Sequence, residues 1–283
     1  MTTAGETYRF YNQSEGYLER LDGAGWRPEY DAVLAALNNY QAQPHGRALD
    51  YGCGVGDLAA SLARSGYQAY GADISLPFLQ EARSRYPGLS FVALDSGPTL
   101  PFPANNFAAI LSVNTLEHVA RPALSLKELV RVLEPGGLLV MTFPNLLSPL
   151  RPLRRFVVRR RRARYGPESG ESACDSLRLV LRNLRVLAAV TLTHRPQFRP
   201  RQADFANAEQ YRRLGYGADY DAVWLTNPSD VAWRLRQLGM EVLAVRGIAG
   251  ASERSRVINQ LRRSLPSHLS SPILLVARHR RSV

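Results

Sequence analysis

Residues 48–56 read ALDYGCGVG, an apolar run that ends in Asp50 and passes into glycines at every second position, Gly52, Gly54 and Gly56. Asp57 follows and opens the amphipathic stretch DLAASLARS at 57–65. A strand that ends in a glycine turn and continues as a helix lets the backbone turn sharply and approach a ligand with no Cβ in the way. By itself the loop leaves three readings open: a dinucleotide site, a site for another nucleotide-like cofactor, and a plain structural turn. Spacing separates the first two. A dinucleotide fingerprint G-x-G-x-x-G/A starting at Gly52 needs Gly or Ala at position 57. Asp57 instead sets a carboxylate where a pyrophosphate would meet the helix N-terminus, an electrostatic mismatch. A cationic cofactor has the opposite requirement, and Asp50 beside the turn suits it.

Outward from this loop the sequence alternates. Strand patterns fall at 47–51, 68–72, 89–94, 107–113 and 137–143, with helical patterns at 57–65, 76–85 and 122–133 between them. Asp57 and Ser75 suit N-caps, and Pro122 suits a first helical turn. This rhythm predicts an α/β fold with a largely parallel sheet covered by helices on both faces. Residues 30–39 read as a short lead-in helix. After Pro144 the pattern breaks into the proline-interrupted, arginine-rich run NLLSPLRPLRRFVVRRRRARY at 145–165 and a helical pattern at 176–192. In that helix Arg178, Arg182 and Arg185 fall on one face, with leucines and valines opposite. Regularity returns with a helix at 229–238 and strands at 240–247 and 272–278. The predicted organisation is an N-terminal cap (1–46), an α/β core (47–144), a basic, largely helical insertion (145–221) and the end of the core (222–283).

The net charge of +12 is unevenly spread. Residues 1–150 carry 10 Lys+Arg against 14 Asp+Glu, residues 151–213 carry 16 against 5, and residues 214–283 carry 10 against 5. Clustering is the informative part, because 35 of the 36 cations are arginine and so uniform a bias can reflect genome composition. Cys53 and Cys174 are too few for a disulfide framework or a four-cysteine zinc site. The polar N-terminus lacks the apolar segment of a signal peptide, and no run of about 18 apolar residues predicts a membrane span. The expected location is cytoplasmic, with membrane association left open.

The loop and its successors resemble the class I S-adenosylmethionine-dependent methyltransferases, in particular the small-molecule group similar to ubiquinone-biosynthesis O-methyltransferases. The likeness runs through residues 45–145 and, more loosely, the last two strands. It implies a Rossmann-like, mostly parallel seven-stranded sheet with an antiparallel last strand, and S-adenosylmethionine as cofactor, leaving as S-adenosylhomocysteine. Asp73 in YGADIS matches the acidic residue that accepts from both ribose hydroxyls, with Ile74 beside it. Asp95 matches the third-strand carboxylate that receives the adenine amino group. The step from Asp95 to Leu100 is one residue longer than the family's usual spacing, so Ser96 shares or takes over that contact. Asn114 lies where the end of strand four touches the cofactor. Asp50, Gly52, Cys53 and Gly54 complete the expected cofactor set. Each has a plainer reading as well: Asp73 as a helix cap, Asp95 as a turn residue before Gly97-Pro98, and Pro135-Gly136-Gly137 as a turn only.

A sulfonium is already a good leaving group, so positioning and exclusion of water carry much of such a reaction. A base is needed only where the acceptor is protonated. Glu117-His118 is the candidate acid/base pair, and His194 in the insertion is a further candidate reaching over the site. In the resembled O-methyltransferases an acidic residue three before the Glu joins the Glu-His pair in holding a divalent metal. Asn114 stands there instead, and losing that carboxylate weakens a hard-cation site, so no metal is expected. Tyr8, Tyr11 and Tyr17 belong to the segment expected to fold over the cofactor. The stretch Asn114-Thr115-Leu116-Glu117 is not the [D/N/S]-P-P-[Y/F/W] of enzymes that methylate base amines. Neither cysteine follows proline, as a cytosine-C5 nucleophile usually does.

The expected function is methyl transfer to a small-molecule acceptor, on oxygen, of lipid-like, quinone-like, glycan or other specialised type. The alternatives are a nicotinamide-dependent oxidoreductase on a similar sheet and a non-catalytic cofactor-binding partner protein. For the basic insertion four readings stand: phosphates of nucleic acid, disfavoured by the scarcity of aromatics; an anionic membrane surface met through 151–192; a lid over an acidic or phosphorylated substrate; and a solvated face beside a homodimer interface.

Overall fold

A computed structural model describes residues 2–13, 27–40, 46–152, 173–193, 195–205, 208, 220–248 and 266–281. Among the described residues, α1 (Ala4–Gln13) and α2 (Arg27–Asn39) precede the sheet. Then follow β1 (Arg47–Tyr51), α3 (Asp57–Arg64), β2 (Gln68–Asp73), α4 (Leu76–Arg85), β3 (Ser90–Ala93), β4 (Phe107–Val113), a 3-10 turn (Leu116–His118), α5 (Pro122–Val132) and β5 (Leu133–Phe143). The chain closes with α6 (Ala173–Thr193), α7 (Pro228–Gln237), β6 (Met240–Gly247) and β7 (Ile273–His279). The strands form one seven-stranded sheet in the order β3-β2-β1-β4-β5-β7-β6. Pairs among β1 to β5 are parallel, and β7 runs antiparallel to both β5 and β6. The α/β sheet with its antiparallel last strand is the architecture the sequence predicts.

Alternation along the central strands builds two cores. On β5, Leu139, Met141 and Phe143 face α5 and α7, where Leu126, Leu129, Val231 and Leu235 are fully buried. Leu138 and Val140 face the other side, against Val33 and Leu37 of α2 and Leu58 and Leu62 of α3. Burial on both faces is why these strands read as apolar runs. From β1 the chain steps outward to β2 and β3, then returns to β4 and steps the other way to β5. The crevice at such a switch point, beyond the strand C-termini, is where open α/β sheets bind ligands.

Several local expectations change. Gly56, in a left-handed conformation, caps α3, while Asp57 is its first helical residue and makes no cap bond. Asp57 Oδ1 instead accepts from the Tyr86 hydroxyl at 2.7 Å. Ser75 does cap α4, accepting from Phe78 N. Pro135-Gly136-Gly137 is not a separate turn. β5 starts at Leu133, and the register against β4 shifts between Phe107 and Ala109, so Glu134–Gly137 bulge out of the ladder. α1 was not legible as a helix.

The chain that leaves β5 and the chain that enters α7 lie side by side. Leu146 N donates to Thr226 O at 2.8 Å, and Thr226 Oγ1 donates to Pro144 O at 2.6 Å. The returning limb forms a ribbon in which Arg201 N donates to Val223 O and Leu225 N to Arg199 O. Between β5 and α7, α6 is the one helix of more than a turn among the described residues; 153–172 lie outside them. Its buried stripe is Asn183, Val186, Leu187 and Val190, whereas Leu177, Leu181 and Leu184 are exposed among the arginines. The exposed face is therefore mixed leucine and arginine, a correction to the segregated faces expected.

Asp230, buried in the first turn of α7, holds the returning limb down. Its carboxylate accepts from Gln197 N (3.0 Å), Phe198 N (3.1 Å) and Asn227 Nδ2 (2.8 Å). Removing it orphans three donors. Asp230→Ala is expected to destabilise the protein by roughly 2–4 kcal/mol, read as a lower urea midpoint. An unchanged midpoint would show that this carboxylate does not anchor the limb.

Candidate cofactor crevice and acid–base cluster

The loop after β1 is fastened to the end of β2 through its backbone. Gly52 N and Cys53 N donate to Ala72 O at 2.8 and 3.1 Å, and Gly54 N donates to Asp73 Oδ2 at 2.9 Å. Gly52 has φ +77°, and a Cβ there would fall inside the side chain of Thr115. That glycine is thus required by the chain itself, where the end of β4 crosses the loop, as well as by any ligand. Cys53 turns its thiol into a small apolar cluster with Leu79 and Phe91, and burial pushes the thiol well above its usual range. The thiol also donates to the Gly54 carbonyl of the loop at 3.7 Å.

Asp73 accepts from Ser75 N at 2.9 Å as well as from Gly54, which fixes its orientation at the crevice edge. Burial raises its carboxyl. Ile74 O accepts from Asn12 Nδ2 at 3.0 Å, so α1 lies against this junction. Asp95 and Ser96 are exposed just past β3, and Asp95 Oδ1 accepts from Gly97 N at 2.7 Å in a local turn. Asn114 sits at the end of β4 with φ +50°, a strained position that Asn tolerates better than most residues. Its N–H donates to Thr142 O. Asp50 is fully buried, and burial with Asp73 nearby pushes its carboxyl up to about 8. Its Oδ2 has no hydrogen-bond partner among the described residues. A buried carboxylate oxygen without a donor fits a cofactor that brings cationic groups. Asp57, with its carboxylate at the start of α3, does not fit a pyrophosphate.

Just beyond β4 the 3-10 turn carries Glu117 and His118 inward. Glu117 is fully buried, and its Oε1 lies 3.6 Å from His118 Nε2. On the other side His118 Nδ1 lies 3.5 Å from Asp221 Oδ2, which also accepts from the Tyr11 hydroxyl at 2.7 Å. The Tyr11 ring stands edge-on to His118, with centroids 6.0 Å apart. Val223 N donates to Glu117 O at 2.8 Å, and Trp224 Nε1 to Val119 O at 2.7 Å, so the returning limb is stitched onto this turn. α1 closes the far side: Ser75 Oγ donates to Tyr11 O at 2.8 Å, and Phe10 stacks on Phe205 at 4.6 Å. Asp221 carried no sequence signal. It lies 210 residues from Tyr11, in a segment without a motif. Tyr11 was one of three candidate tyrosines, and Tyr17 and His194 lie outside the described residues. Among the described residues no group of three His, Cys, Asp or Glu side chains is placed to hold a metal ion.

Two expectations follow from the crevice. If Asp73 accepts from both ribose hydroxyls, as the resemblance implies, Asp73→Ala should weaken S-adenosylmethionine binding by about tenfold or more in titration calorimetry. An unchanged affinity would overturn the ribose placement. Asp50 has a folded-state value raised to about 8, so its proton favours the folded, ligand-free protein, and that contribution fades as pH rises toward 8. A cationic cofactor favours the ionised form, so its binding releases a proton. Affinity should therefore rise from about pH 6 to about pH 8, and Asp50→Asn should flatten the slope.

Comparison with known proteins falls on the same residues. Residues 49–141 match a family described as a methyltransferase domain. An uncharacterized 37.1 kDa protein from a Streptomyces fradiae transposon is 36% identical over 135 residues, covering 46% of this chain and 38% of that protein. A demethylmenaquinone methyltransferase from Beutenbergia cavernae is 36% identical over 107 residues, covering 38% of this chain and 44% of that enzyme. The chain thus spans less than half the length of these two relatives. The crystal structure of an S-adenosylmethionine-dependent methyltransferase from Mesorhizobium loti superposes with a TM-score of 0.52 at 19% identity, over 91% of this chain and 99% of that one, which speaks for the fold. Residues 49–141, which carry the glycine loop, Asp73 and the ends of β3 and β4, are therefore similar to a methyltransferase domain, on a sheet whose fold is shared with an S-adenosylmethionine-dependent methyltransferase.

Proposed function

We propose that this protein moves the methyl group of S-adenosylmethionine to a hydroxyl oxygen of a small, quinone-like or lipid-like acceptor, with His118 as the base. The observation that carries this reading is the position of His118 between Asp221 and Glu117, directly after β4 and under α1. When bound, the cofactor supplies an electrophilic methyl on a cationic sulfur. Asp73 would hold its ribose, Asp95 and Ser96 its adenine edge, and Asp50, Asn114 and the backbone of Gly52, Cys53, Gly54 and Ile74 its remaining contacts.

His118 Nδ1 is buried and faces Asp221, which favours a proton on Nδ1 and leaves Nε2 to accept one from the acceptor. With that cofactor bound, an acceptor oxygen placed beside Nε2 would take the methyl group, and the carbon–sulfur bonding pair would remain on the sulfur. The hydroxyl proton would pass to Nε2, where Glu117 Oε1 at 3.6 Å would offset the charge gained. Tyr11, donating to Asp221, holds that carboxylate toward the ring and acts as a positioning residue. The cap of residues 1–46 and the insertion of 145–221 would together exclude water from the crevice between them. The name of the Beutenbergia cavernae relative supports a quinone-like acceptor.

Among the described residues no helix is long and apolar enough to cross a membrane. For 151–192 the reading as a peripheral contact of a cytoplasmic protein with an anionic membrane is supported at α6, where exposed Leu177, Leu181, Leu184 and Leu192 alternate with Arg178, Arg182 and Arg185.

His118→Ala should lower kcat by about 10²–10⁴-fold with little change in cofactor affinity. Tyr11→Phe should cost about tenfold, with the fold intact. The measurement is transfer of labelled methyl groups to fractionated extract and to demethylated quinones. Full activity of His118→Ala would rule out the base, and binding of S-adenosylmethionine without transfer to any fraction would rule out the enzyme.

A further inference from the structure

The helix α1 has ten residues, too few to hold its shape alone in water. Thr3 and Glu6 close its first turn as a reciprocal capping pair, with Thr3 N donating to Glu6 Oε2 at 2.6 Å and Glu6 N to Thr3 Oγ1 at 3.2 Å. Of its residues only Thr7 and Tyr11 are buried. Among the described residues its ties go to two separate parts of the molecule. At the C-terminal end Asn12 grips the backbone on both sides of Ser75: Nδ2 donates to Ile74 O at 3.0 Å, and Oδ1 accepts from Leu76 N at 2.9 Å. Ser75 itself, fully buried, donates its hydroxyl to Tyr11 O at 2.8 Å. On the side of the returning limb, Ala203 N donates to Thr2 Oγ1 at 3.0 Å, Phe10 stacks on Phe205, and the Tyr11 hydroxyl reaches Asp221. The junction that Asn12 grips is the one whose Asp73 accepts from Ser75 N.

We propose that Asn12 is a positioning residue that couples occupancy of the cofactor crevice to the acid–base cluster. In this coupling α1 docks firmly only when the β2–α4 junction holds the cofactor, and only a docked α1 sets Tyr11 against Asp221 and Asp221 against His118. The inference rests on the proposed methyl transfer for its catalytic consequence, while the docking of the helix stands apart from it. Residues 74–76 all bond to the cap, through Asn12 and the Tyr11 carbonyl, and residue 73 is the carboxylate that the resemblance gives to the ribose. A ligand that fixes Asp73 therefore fixes the backbone that Asn12 grips. Linkage makes the effect reciprocal: whatever favours the docked helix raises cofactor affinity by the same factor. A primary amide is the side chain this geometry needs, since it offers one donor and one acceptor to backbone groups two residues apart, as a neighbouring strand does. Aspartate lacks the donor, and alanine lacks both. The chemical purpose is timing. An undocked cap admits ligands while the base is unassembled, and docking completes the base once an electrophilic methyl is present to be used.

The test uses the full chain and the peptide bond after Arg9, an exposed residue in the middle of α1 that trypsin can cut only when the helix leaves its seat and opens. In the wild type, saturating S-adenosylmethionine should slow cleavage there by about tenfold or more, followed by mass spectrometry. In Asn12→Ala that protection should shrink to about twofold or less, while titration calorimetry still finds the cofactor bound within about tenfold of the wild-type affinity. Asn12→Asp, which keeps the size of the side chain, should behave the same way and so separates the lost donor from a packing defect. In labelled methyl transfer, Asn12→Ala and Tyr11→Phe should each lower kcat about tenfold, and the double variant should lose no more than about the larger single loss. Losses that multiply would mean that Asn12 does not act through Tyr11, and would overturn the coupling. So would equal protection in the wild type and both Asn12 variants, or no protection in the wild type. Protection that depends on Asn12, with no methyl transfer to any extract fraction, would remove the methyl-transfer reading and leave the coupling in place. Wild-type kcat in both Asn12 variants would do the reverse.

Discussion

Two backbone N–H groups, from Gly54 and Ser75, converge on the Asp73 carboxylate. Through the first the loop after β1 is held in its turn, and through the second the start of α4 is set. Ser75 then donates its hydroxyl to Tyr11 O, which lays α1 across the crevice. From α1 the Tyr11 hydroxyl reaches Asp221, and Asp221 faces His118. One carboxylate at the end of β2 is thereby connected to the cofactor loop, to the N-terminal cap and to the acid–base cluster. Its cost is burial, which raises the carboxyl above its ordinary range, and the two short backbone bonds offset that in part.

The insertion follows the same logic from the other edge. Its ends are tied together at Pro144 and Thr226, so about 80 residues can leave the sheet and return without disturbing β5 or α7. Its returning limb is fixed twice, to α7 by Asp230 and to the turn after β4 by the Glu117 carbonyl. These ties bring a segment without any motif against the residues that do carry one. They also seat α6, whose Val186 and Val190 pack against Leu225 and Trp233.

Glycine placement shows where sequence reasoning reached the right residue with an incomplete reason. The spacing of Gly52, Gly54 and Gly56 implied room for a ligand. Gly52 gives way first to Thr115 of β4's end, and Gly56 caps α3 in place of Asp57. The helix α6 is similar. Its arginine periodicity was legible, but leucines expected to be buried lie exposed beside those arginines, because the buried stripe is set by Leu147 and Trp233 beneath it.

The sequence by itself determined whatever depends on near neighbours: the periods of two and 3.6 that mark strands and helices, the glycine loop, and the acidic residues at the strand ends. Each of these is a local steric or hydrogen-bonding preference, and a sheet of alternating units amplifies them into one topology. Only the tertiary structure decided the partners of His118 and the bulge at Glu134–Gly137. Those depend on which distant segments come together, and burial of Asp221 against Tyr11 across 210 residues leaves no periodic trace in either segment.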